Sequence, residues 1–162
     1  MQSSIAGCTT MSGSRVSPPD TLVTAASLIA GFGSALIAFR LQRELDIEEK
    51  NERRPRHLRE RHWFPASDWL IVVSNIAALC FVVAPLVALE SPSQPLLHIA
   101  SATCCASAIM LAGYIPSILA HYQFFVGLTQ KRSNPTSWEG VFILITVLAA
   151  LAAFVLAYRA AP

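Results

Sequence analysis

The chain reads as an all-α, polytopic membrane protein, a bundle of four transmembrane helices with a charged, largely helical cytoplasmic loop between helices 1 and 2. Three observations predict this. Of its 162 residues, 54% are apolar and 14% charged, with a mean hydropathy of +0.50, outside the range of ordinary soluble domains. Fifteen of the 22 Asp, Glu, Lys and Arg residues fall in the 29 positions from Arg40 to Asp68. The rest holds four nearly uncharged stretches, each near the roughly 20 residues a helix needs to cross the hydrocarbon core.

A disordered extracytoplasmic tail is expected over 1–20, and the first span over about 21–39. Pro18, Pro19 and Asp20 mark its start, Asp20 being placed to cap the free amides, and Arg40 closes it. This run follows a polar tail and lacks a basic region and a small-residue cleavage site, so it is read as a span and not as a cleaved signal peptide. Ile5-Ala6-Gly7-Cys8 matches a lipoprotein lipobox only by accident, because no apolar stretch leads into it; Met11 is an alternative start that would delete it.

The loop over 40–68 begins as a continuation of the first helix, with Asp46 to Lys50 and Glu49 to Arg53 as favourable pairs four apart, until Pro55 stops it. The second span covers about 69–89, capped by Ser67 or Asp68 and kinked or broken by Pro85 in its last third. The third lies within an uncharged stretch from Ser91 to Gln130 and is placed over about 96–119, with a bend at Pro116. The fourth, over about 141–158, follows an Asn134-Pro135 turn with Trp138 as an aromatic anchor, and Arg159 closes it.

Basic residues in short loops stay cytoplasmic. The loops after the first and third spans carry ten of the twelve, leaving Arg15 and Arg159 on the other side. Both termini are therefore expected outside. Ten of the twelve are Arg, the bias of a GC-rich genome, which suggests a bacterial inner membrane. Three of the four cysteines sit in apolar runs, so free buried thiols are expected in place of a disulfide framework.

Candidate functional residues fall into three groups. Tyr114, Ser117 and His121 on the polar third span could line a pathway bent at Pro116, His121 being the ionisable candidate within the membrane. Arg53, Arg54, Arg56, Arg59 and Arg61 could hold anionic lipid head groups at about 1 kcal/mol each, although a plain topology signal explains them as well. Ser27, Gly31 and Ala35 form one row of small residues for close helix packing, with Ala26, Ala30, Ser34 and Ala38 forming another. Within this span Leu28-Ile29-Ala30-Gly31-Phe32 resembles the pore-lining first helix of the Orai calcium channels, over less than a fifth of the chain. Matching on Gly31-Phe32 puts Phe39 at the acidic filter position and the expected topology is inverted, so the resemblance assigns no family.

No catalytic set, paired intramembrane carboxylates or phosphate loop is read in the spans, and no cofactor or metal is expected. A haem would need a histidine on another span at the depth of His98 or His121, and Cys104-Cys105 point about 100° apart on a helix. Nucleic acid is excluded as a partner by the acidic residues beside the basic run. The leading expectation is a non-enzymatic membrane subunit that associates with itself or with other membrane subunits. A small oligomeric channel or transporter comes second and a haem or redox protein third.

Overall fold

A computed structural model of the protein describes residues 18–53, 55, 65–121 and 137–160. Among these there is no strand. Four helices are long and apolar enough to cross a membrane: α1 Pro19–Glu52, α2 Asp68–Ala88, α3 Gln94–His121 and α4 Ser137–Ala160.

Helix α1 starts two residues before the expected span. Pro19 occupies the first turn, where a missing N–H costs nothing, and Pro18 stands at the cap position, so Asp20 is inside the helix and caps nothing. At 34 residues α1 is about 51 Å long, against roughly 30 Å of hydrocarbon, so its last dozen or so residues project as a rod. Glu49 and Arg53 pair at 2.5 Å on that rod. The helix ends at Glu52, shortly before Pro55, which cannot continue a regular helix.

The expected disturbance at Pro85 takes the form of a π turn over Leu79–Val83. Pro85 has no N–H for the Phe81 carbonyl, and its ring would crowd that carbonyl in a regular α turn. The chain inserts one extra residue instead, the Ala84 amide reaching back five positions to Leu79 O. Pro116 is carried inside α3 without ending it.

The helices are not arranged as a closed square. α1, α2 and α3 pack on one another, while α4 packs extensively on α3 and only slightly on the others. Accordingly 11% of the apolar stretch of α4 is buried, against 39% for α2. Burial of apolar surface does not drive helices together in lipid, so close approach of small residues must do so. On α1 the inward row is Leu22, Ala26, Ala30 and Gly33, of which Leu22 and Ala26 pack with Ala78, Val82 and Leu86 of α2 and Ala100 and Cys104 of α3. A Cβ at Gly33 would overlap the Asn75 side chain, and one at Gly113 would overlap Thr146. These two glycines set the α1–α2 and α3–α4 approaches.

Helix α4 meets α3 along Glu139, Thr146 and Ala150, spaced seven and four apart, on one face of the helix. Thr146 donates its hydroxyl back to Phe142 O at 2.8 Å, satisfying a polar group that sits at the contact. Ser74 joins α2 to α3 by donating to Ser107 O at 2.9 Å.

Candidate functional site

Because successive helices run antiparallel, the end of the apolar run of α1, the start of α2, the end of α3 and the start of α4 lie at the same end of the bundle. Each delivers an ionisable residue there: Arg40, Asp68, His121 and Glu139. The two carboxylates sit in the first turns of α2 and α4 and the histidine in the last turn of α3, the polarity helix dipoles favour.

Two linked contacts form the cluster. Arg40 Nε approaches Asp68 Oδ2 at 3.4 Å, with the side chains only 14% and 11% exposed. His121 Nδ1 lies 2.7 Å from Glu139 Oε2, and the other oxygen of Glu139 accepts the Ser67 amide at 3.0 Å. Tyr114 lies close to the Asp68 carboxylate, which is also within electrostatic reach of His121. Glu139 and Ser67 are fully buried. An isolated charge would be costly here, so pairing is a condition of the site's existence.

Two polar atoms are left over: Ser67 Oγ and Asp68 Oδ1 are buried without a hydrogen-bond partner among the described residues. Neither residue acts as the expected cap. Ser67 occupies the cap position of α2 but makes no capping bond, its amide being used by Glu139, and Asp68 is the first helical residue, turned to Arg40. Asp68 also lines a cleft of about 130 Å³ between α1 and α2, walled by Ile37, Leu41, Ile71 and Val72 and edged by Arg40 and Glu44. A second groove, of about 310 Å³, is almost wholly apolar and lies where α4 leaves α2, lined by Phe81, Ile99, Thr103, Met110 and Phe154 among others.

Of the expected pathway residues, Tyr114 and His121 join the cluster and Ser117 does not; its hydroxyl bonds Gly113 O at 2.7 Å in its own helix. Asp68 and Glu139, which the expected span bounds left just outside, are both buried and both belong to candidate spans, each set against a basic group of another helix, Arg40 and His121 respectively. His121 is likewise joined by the buried Asp68 and Glu139 and by the half-buried Arg40 as ionisable groups. Glu139 escaped the sequence reading because α4 starts four residues before the expected 141, and a carboxylate beside Trp138 reads as a boundary residue. The retrievable signal was its place in the first turn, one turn before an uncharged helix.

Ser27, Gly31 and Ala35 face away from the rest of the chain, and nothing lies within 4 Å of a Cβ built on Gly31. Of the other expected row only Ala26 and Ala30 face inward, continued by Gly33, while Ser34 and Ala38 are exposed. Of the basic run, Arg53 is in an ion pair with Glu49, and Arg54, Arg56, Arg59 and Arg61 lie outside the described residues. Cys104 is buried and Cys105 exposed, as their angular separation requires. Among the described residues no three His, Cys, Asp or Glu side chains gather to hold a metal, and His121 Nδ1 is engaged by Glu139. No known protein family, characterised protein or solved structure matches this chain.

Proposed function

We propose that the protein is a non-enzymatic membrane subunit that associates through α1 with further copies of itself or with another membrane protein. The supporting observation is that α1 carries small residues on two faces while intrachain packing uses one. Ala26, Ala30 and Gly33 turn inward; Ser27, Gly31 and Ala35 turn outward between the exposed Leu28 and Phe32. Small residues four apart allow helix backbones to approach closely in lipid, which accounts for the outer row. The open side of the bundle, where α4 rests mainly on α3, leaves further room for a neighbour. In this reading the termini are extracytoplasmic, the membrane is the bacterial inner membrane, and the basic run lies at its anionic leaflet.

Native mass spectrometry of the complex released from membranes, combined with cysteine crosslinking at Ser27 and Gly31, tests it. Multimers, or a stoichiometric second subunit, that dissociate on Gly31→Leu support the reading; monomers without associated protein refute it.

A second reading, a small oligomeric channel or transporter, is favoured by the gathering of Tyr114, His121, Asp68 and Glu139 at one end of the bundle. Reconstituted vesicles should then show a flux that falls when Tyr114 and His121 are replaced together. Absence of flux sinks it.

A further inference from the structure

We draw no further inference here: the strongest candidate, the almost wholly apolar groove of about 310 Å³ between α2, α3 and α4, carries none because nothing in the structure shows what covers it.

Discussion

His121 at the last position of α3 and Glu139 in the first turn of α4 share a contact of 2.7 Å in a site where neither is more than 8% exposed. It joins the two helices that pack most extensively, across a connection that starts and ends within 18 residues. Glu139→Ala or His121→Ala strands the other member, and either should cost about 3–5 kcal/mol. Replacing both with alanine should cost less than the sum of the two single losses, because the uncompensated group disappears with its partner. Unfolding by SDS titration across the four-membered cycle measures the coupling; additive losses would show that the two residues do not act as a pair.

The α3–α4 approach depends on Gly113 standing against Thr146. Gly113→Ala should force the helices apart and destabilise by about 1–3 kcal/mol. Thr146→Ala in the same chain should restore part of the loss, since it removes two of the three atoms in the way. Gly31→Ala is the contrast: with nothing within 4 Å it should leave the stability of the single chain unchanged or raise it by up to about 1 kcal/mol through helix propensity. Thermal unfolding in detergent, at a concentration where the chain is monomeric, separates the two cases.

Pro85 is held responsible for the π turn at Leu79–Val83. Pro85→Ala provides the missing N–H, so the turn should tighten toward α geometry and the amides after it should become better protected. Hydrogen exchange in detergent reads this directly. Unchanged protection would place the cause of the turn in packing around Val82, which is fully buried, and not in the proline.

If the four helices span as proposed, membrane-impermeant maleimide should leave Cys80, Cys104 and Cys105 unlabelled in native membranes, although Cys80 and Cys105 are exposed on the outside of the bundle, because that outside is then lipid. On the proposed topology a cysteine placed at Lys50 should react only after the cytoplasmic face is opened, and Cys8 should react from the outside. Labelling of position 50 in sealed cells would invert the topology.

The length and polarity of each helix were legible along the chain. In lipid, only a run of apolar residues with its own backbone bonds satisfied can span, so composition over a window of about 20 residues carries the signal, and four runs give four helices. The helical continuation into the charged loop was legible for a local reason as well, since pairs four apart and a stopping proline act within the same helix; α1 does run to Glu52. Helix ends were less well marked, and that is where Glu139 and Asp68 were passed over. A carboxylate at a boundary looks the same in sequence whether it faces water or a histidine on another helix.

What only the tertiary structure decided is which faces meet. Both small-residue rows of α1 have the spacing for close packing, and nothing local distinguishes the inward row, Ala26 and Ala30, from the outward row, Ser27 and Gly31. That choice depends on Asn75 of α2 seating against Gly33, and the polar cluster depends on four helix ends from separate parts of the chain arriving at one place. By itself the sequence determined four helices long and apolar enough to span a membrane, because hydrophobicity and backbone hydrogen bonding are summed along one helix at a time. Pairing of Arg40 with Asp68 and of His121 with Glu139 is a property of neighbours in space, set by helix rotation and approach that no single helix encodes.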